Sequence, residues 1–377
     1  MSARIPLSAP DITEVEIAAV TAVLRRPTLS LGPELSAFEA ELAAYHSVEH
    51  AVAVSSGTAG LHLALLTLEV GLGHEVIVPS FAFVAVANTV LQVGATPVFV
   101  EIDPLTLNLD PASVERAITS RTRAILIVHT FGVPAEMKTL QEIARRHGVA
   151  VIEDACEAVG ARFDGRRTGG FGDLAVLGFY PNKQITTGEG GAVLGRDPAH
   201  AARLRRLRNQ GREAGADWLD HAEPGYNYRL SEMACALGRV QLGRVEEILD
   251  LRREAAERYD DLLRSVAGVE RPPLALPRRV ISWFVYVVRL QEGVDRDRVQ
   301  ATLAEAGIAT GRYFAPIHLQ PAWRLQALAQ GRGDAEWLDL TKSIARRTLA
   351  LPFFNRITAG QQQEVAGALR AAMGRAG

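Results

Sequence analysis

Residues 177–191, Leu-Gly-Phe-Tyr-Pro-Asn-Lys-Gln-Ile-Thr-Thr-Gly-Glu-Gly-Gly, place one lysine between an apolar run of strand character and a turn of Thr186, Thr187, Gly188, Gly190 and Gly191. An ammonium in such a half-buried, glycine-walled place loses water, and its pKa falls. A lysine of lowered pKa is a nucleophile, and its commonest covalent partner is an aldehyde, as in a pyridoxal phosphate Schiff base. Upstream, Ile152-Glu153-Asp154-Ala155 sets an acid at the end of an apolar run. Lys183 and Asp154 together suggest a cofactor ring held at both ends.

Other chemistry-bearing residues precede these two. Ser55-Ser56-Gly57-Thr58-Ala59-Gly60 separates a strand-like run from a helical one. Small residues at a helix start leave N–H groups and a dipole for an anion, so Ser56, Gly57 and Thr58 form a candidate phosphate cradle. The competing reading is an ordinary strand-to-helix turn. No lysine follows as in a Walker loop, and Gly71-Leu72-Gly73 lacks the third glycine of a dinucleotide fingerprint. Asp154 could keep a pyridinium nitrogen protonated, which makes the ring an electron sink; it could equally cap a helix or bind a metal. Phe81 and Phe83 follow Pro79-Ser80, and either could be core or lie on an aromatic cofactor. His129 closes Ile125–Val128 as a satisfied sheet-end histidine or as a wall of the site.

These residues need elements to position them, and the pattern supplies strands alternating with helices. Ala51–Ser55, His74–Pro79, Thr96–Ile102, Arg123–His129 and Ala150–Asp154 have strand length and apolarity. Helical periodicity falls between them at Leu61–Glu69, Val84–Gln92, Pro111–Thr119 and Met137–His147. Such alternation predicts βαβ units, a mostly parallel sheet with both faces covered, and ligands at the carboxyl ends of its strands. Thr13–Glu16 reads as a capping box, and a second helix follows to His46. Beyond Gly191 come a strand at Ala192–Gly195, an arginine-rich helix at Arg203–Arg208 and one long helix from Ser231 to Ser265. Pro272, Pro273 and Pro277 then open a small α+β unit with a strand at Ser282–Leu290, helices near Arg296–Ala306 and Gln361–Met373, and an apolar run at Leu349–Phe354.

The bulk composition narrows the function class. Hydrophobic residues are 48% and charged residues 22%, as in an ordinary globular chain. Lys+Arg 41 against Asp+Glu 43 gives a net charge of −2, which argues against nucleic-acid or polybasic membrane binding. Cys156 and Cys235 are the only cysteines, so neither a disulfide framework nor a four-cysteine zinc site is available. A soluble cytoplasmic protein with no metal site is the expectation, since residues 1–10 carry no signal pattern and the apolar stretch Phe81–Val100 is broken by polar residues.

With these motifs in place, the chain resembles the DegT/StrS-type nucleotide-sugar aminotransferases, pyridoxal phosphate enzymes of fold type I. The matching residues are Leu31-Gly32-Pro33, Ser56-Gly57-Thr58, Pro79–Phe83, Asp103-Pro104, His129–Gly132, Glu153-Asp154-Ala155, Lys183 with Thr186–Gly191, Gly225–Arg229 and Tyr313–Pro321. The resemblance implies a large domain with a mostly parallel seven-stranded sheet over residues 1–245 and a small α+β domain over residues 246–377. It implies pyridoxal 5'-phosphate on Lys183 as a Schiff base, Asp154 on the ring nitrogen, Phe83 stacked on the ring, and Gly57 and Thr58 on the phosphate. Glu157 would sit beside the ring hydroxyl, where relatives often have Gln or His, and Gly178 replaces a phosphate-binding serine. The site would lie at a homodimer interface, with Asn227 reaching the partner subunit's cofactor. Arg229, His129, Tyr313 and His318 would meet a nucleotide sugar, and L-glutamate would be the amino donor. Relatives that remove a sugar hydroxyl carry histidine in place of the lysine, so Lys183 points to amination. Amination of a cyclitol ketone and a pyridoxal-binding regulator without turnover are the alternatives.

Overall fold

The computed structural model describes residues 4–213, 215, 220–323 and 338–376. Two helices open the chain, α1 (Glu14–Leu24) and α2 (Pro33–His46). Thr13 caps α1 in a complete capping box with Glu16, and Pro33 sits at the first turn of α2, where its missing N–H costs nothing. The alternating region follows as β1 (His50–Val54), α3 (Gly57–Thr67), β2 (Glu75–Pro79), α4 (Ala85–Gln92), β3 (Thr96–Val100), α5 (Pro111–Ala117), β4 (Thr122–Val128), α6 (Met137–His147) and β5 (Ala150–Asp154). A short hairpin, β6 (Arg162–Phe163) and β7 (Arg166–Arg167), precedes β8 (Leu174–Gly178), β9 (Gly191–Gly195) and α7 (Pro198–Arg208).

The main sheet has seven strands in the order β1-β9-β8-β5-β4-β2-β3, with β9 antiparallel to both neighbours and the other pairs parallel. This is the α/β class that the alternation predicts, with the mostly parallel seven-stranded sheet that the fold-type I resemblance implies. Strand residues such as Val76, Ile77, Val78, Leu126 and Ile152 are fully buried because helices cover both faces. The antiparallel β9 has a direct consequence for the site. Gly191 at its start pairs with both Val54 and Gly178, the carboxyl ends of β1 and β8. The connection from 178 to 191 therefore leaves and re-enters the sheet at one edge and holds Lys183 there. Only glycine fits at 191, since a Cβ would lie 2.7 Å from the Ser56 carbonyl and from Leu177 O.

The second unit contains α9 (Val245–Leu263), a sheet of β10 (Val269–Glu270), β12 (Tyr286–Leu290) and β13 (Thr348–Leu351), α10 (Arg296–Glu305) and the C-terminal helix Ala359–Ala376. Its core includes Tyr259, Tyr286, Val288, Leu349 and Leu369, and Ile5 joins it through a bridge to Ile308. A two-residue strand, β11 (Arg279–Val280), pairs with β6 of the first unit.

Two segments differ from the sequence reading. The single long helix is two, α8 (Glu232–Gly243) and α9, because Arg244 leaves helical geometry (φ −103°, ψ 6°) and binds Glu16 and Asp11 at 2.7 and 3.1 Å. Residues 282–285 lie outside β12, since the Ser282 and Phe284 N–H groups donate to the carbonyls of Gly132 and Phe131, in the 3₁₀ turn Thr130–Gly132 after β4, at 3.1 and 3.2 Å. No helix among the described residues is long and apolar enough to cross a membrane.

His46, at the end of α2, is fully buried and bonds Thr168 O through Nδ1 at 2.8 Å. Burial pulls its pKa from 6.5 down to about 4, with the Thr168 bond opposing. The unfolded chain then takes up this proton at higher pH than the native state does. Stability from neutral His46 is complete above pH 6.5 and lost as pH falls toward 4, by up to about 3 kcal/mol. Denaturant titrations from pH 7 to 4.5 should show a steeper loss in the wild type than in His46→Gln, and parallel curves would exclude His46 as the cause.

Candidate active site

The carboxyl ends of β1, β2, β4, β5 and β8 frame a cavity of about 620 Å³. The sequence-expected residues Ser56, Gly57, Thr58, Phe83, Asp154, Glu157, Lys183 and Tyr313 line it together.

At one end, α3 starts directly from β1. The Ser56 hydroxyl accepts the Ala59 N–H at 3.0 Å and fixes the first turn, so Gly57 and Thr58, whose N–H groups have no partner within the helix, line the cavity at the positive end of the helix dipole. A Cβ at Gly57 would come within 2.8 Å of Cys156 Sγ, so the backbone itself forms this wall. The thiol also lies 3.1 Å from where a Cβ at Gly178 would sit, which closes the space that a serine would use. Burial raises the pKa of Cys156 well above the ordinary thiol range, so it stands there as a neutral group.

The aromatic question resolves cleanly. Phe81 is fully buried and packs edge-on to Phe131 and Phe314, whereas Phe83 is 61% exposed and lines the cavity. Adjacent strand residues point to opposite faces, and this separates Glu153 from Asp154. Asp154 faces the cavity and accepts the Cys156 N–H at 3.0 Å. Glu153 points away and accepts N–H groups of Gly169, Phe171 and Gly172 at 2.8, 2.6 and 2.7 Å. Its remaining partner is His129 Nε2 at 2.9 Å, while the Ala135 N–H donates to His129 Nδ1 at 3.1 Å. His129 is thus a fully buried, doubly bonded sheet-end histidine and not a cavity wall, which corrects its assignment to substrate binding.

Lys183 has a side chain 15% exposed, with Nζ 3.6 Å from Glu157 Oε1 and 3.9 Å from the centre of the Phe284 ring. The amine is therefore not the isolated desolvated charge that its sequence context suggests. Glu157 in turn accepts the Phe131 N–H at 2.9 Å. Burial raises the Glu157 carboxyl, and the nearby lysine opposes this. Tyr313 accepts the Asn182 amide at 3.4 Å, and burial raises its phenol.

Besides His129, three expected residues lie off the cavity of this single chain. His318 is buried with Nδ1 2.6 Å from Ser80 Oγ, where it ties the 3₁₀ turn Ile317–Leu319 to the end of β2. Tyr226 and Tyr228 stack at 5.1 Å against the first core, so Asn227 between them is exposed. Arg229 donates to Asn209 at 3.0 Å. Phe284 was not legible in the sequence, because residues 282–290 read as one alternating strand and nothing local marks a ring beneath a lysine 101 positions earlier.

The residues fit pyridoxal phosphate. Backbone N–H groups and a helix dipole await a phosphate, an exposed ring offers a stacking face, a carboxylate can pair with a ring nitrogen, and an amine stands beside them in one cavity.

Comparison with known proteins agrees. The chain is 43% identical over 298 residues to the GDP-perosamine synthase of Caulobacter vibrioides, covering 78% of this chain and 80% of that protein. The structure of DesV from S. venezuelae, in complex with a ketimine intermediate, superposes with a TM-score of 0.89 at 39% identity over 98% of each chain. Spr1654 from Streptococcus pneumoniae in its PLP form superposes with a TM-score of 0.93 at 26% identity over 99% of each. A family model matches residues 10–370, and the chain belongs to the DegT/DnrJ/EryC1/StrS aminotransferase family.

Proposed function

We propose that this protein is a pyridoxal phosphate-dependent aminotransferase that moves an amino group from L-glutamate to a keto group of a nucleotide-linked deoxysugar. The observation that carries the reading is the meeting of Lys183, Asp154 and the α3 N-terminus in one cavity. The likeness to GDP-perosamine synthase favours GDP as the nucleotide.

When bound, pyridoxal phosphate supplies an aldehyde that carries the amino group and a ring that draws negative charge from the reacting carbon. Gly57 and Thr58 bind the phosphate through main-chain N–H groups. Asp154 holds a proton on the ring nitrogen by charge pairing. Phe83 would offer its exposed ring as a stacking face for the cofactor. Lys183 would carry a proton to and from the reacting carbon as general base and acid. Glu157, 3.6 Å away, orients that amine and is placed to exchange a proton with it.

The active unit in this reading is a homodimer in the cytoplasm. Ile12, Val15, Ile17, Leu24, Leu29 and Leu31 leave an exposed apolar surface around α1, and Asn227 and Arg229 are outside their own chain's cavity and available to a partner's. Glutamate, both half-reactions and the assembly are tested together. ¹⁵N-glutamate alone should change the cofactor's absorbance, and a GDP-linked keto-deoxysugar added next should receive the ¹⁵N by mass spectrometry. The active species should sediment at twice the 40.7 kDa chain mass. Intersecting double-reciprocal lines with no reaction on glutamate alone would refute the ping-pong scheme.

A further inference from the structure

Arg252 is one of the largest fully buried side chains of the protein, 2% exposed in the middle of α9, and it lies outside the cavity. A guanidinium taken out of water normally finds a carboxylate. This one spends its hydrogen bonds on main-chain carbonyls instead. Nη1 donates to Trp283 O and Phe284 O at 3.0 Å each, and Nη2 donates to Lys183 O at 3.1 Å. The Phe353 ring lies 5.6 Å from its centre. Burial lowers its pKa to about 10, partly offset by Asp11, so it keeps its charge at neutral pH.

The three carbonyls belong to the two chain segments that meet at the reactive amine. Lys183 Nζ rests 3.9 Å from the centre of the Phe284 ring, and Arg252 grips the main chain of both residues. Trp283 has φ +51°, a left-handed conformation that a bulky residue adopts at a cost, and its carbonyl is bound by the guanidinium. A planar fork spans three carbonyls with one rigid group, whereas a lysine ammonium offers its three donors from a single point on a flexible stem and holds such a spread of acceptors less firmly.

We propose that Arg252 is a positioning residue for Lys183: by clamping the main chain of Lys183 to that of Phe284, it sets from α9 where the amine stands in the cavity. The inference rests on the aminotransferase reading of Lys183. It predicts that losing the clamp affects the chemical step more than substrate capture, because a displacement of about 1 Å at the reacting group can lower the rate about 100-fold.

The test uses the cofactor-loaded wild type with R252M and R252K. Lys138, Lys183 and Lys342 are the only lysines in the chain, so borohydride-fixed pyridoxyl label can be assigned by peptide mass spectrometry. In R252M, kcat should fall about 10- to 100-fold while KM for the amino donor stays within about threefold. The pH midpoint of the bound cofactor's absorbance should move by about 0.5 unit or more. R252K should recover part of both effects. A labelled, active wild type with R252M and R252K unchanged in kcat and pH midpoint overturns this inference alone. Equal losses in kcat and affinity with an unmoved midpoint, or loss of cooperative unfolding in both variants, make Arg252 a core residue and overturn it as well. A wild type that takes no label on Lys183 refutes the functional reading together with this one.

Discussion

Lys183→Ala is expected to lose transamination by about 10⁴-fold or more, since it removes both the covalent attachment point and the general acid–base. Borohydride treatment of the pyridoxal phosphate-supplied wild type should leave a pyridoxyl label on Lys183, and none in the variant. The fold should survive. The replaced ammonium is partly solvent-facing, and its buried neighbour Glu157 already has a raised pKa, so it can become neutral instead of remaining an uncompensated charge. Lys183→Arg should be equally inactive, which separates the amine's chemistry from its charge. Turnover within about tenfold of wild type in either variant would exclude the acid–base role assigned to Lys183.

Asp154→Asn should lower kcat by about 10²- to 10³-fold, the range seen when one preorganised electrostatic partner of a transition state is removed. Asparagine keeps an oxygen that can accept the Cys156 N–H, so the local turn is preserved while the charge is lost. Labelling of Lys183 should therefore persist although turnover collapses. That combination distinguishes loss of ring activation from loss of cofactor binding. Wild-type kcat in the Asn variant would mean that Asp154 is a structural cap, the alternative reading of a carboxylate at a strand end.

The two predictions differ in how their residues became visible. Lys183 and Asp154 stand out in the sequence because their local surroundings are informative. A strand-length apolar run ending in an acid, and a lone lysine before a glycine-rich turn, are both unusual pairings of polarity with position. The same local logic located Phe83, although only the tertiary packing separates it from Phe81, which is buried against Phe131 and Phe314. His129 misled for the converse reason. A histidine at a strand end looks the same in sequence whether it faces a cavity or a buried carboxylate, and its actual partner Glu153 lies on the neighbouring strand.

Periodicity and turn chemistry, which are local, were enough to determine the alternating strands and helices, the α/β class and the chemistry-bearing ends of the strands. Tertiary structure decided everything that depends on chain segments far apart in sequence. It broke the long helix at Arg244 around acids from residues 11 and 16, and pulled residues 282–285 off their strand to the turn after β4. It also set Phe284 beneath Lys183, with Arg252 holding both. The physical reason is that a side chain's local pattern records which face it presents, whereas its partner on that face is chosen only when the sheet order brings distant strands and helices into contact.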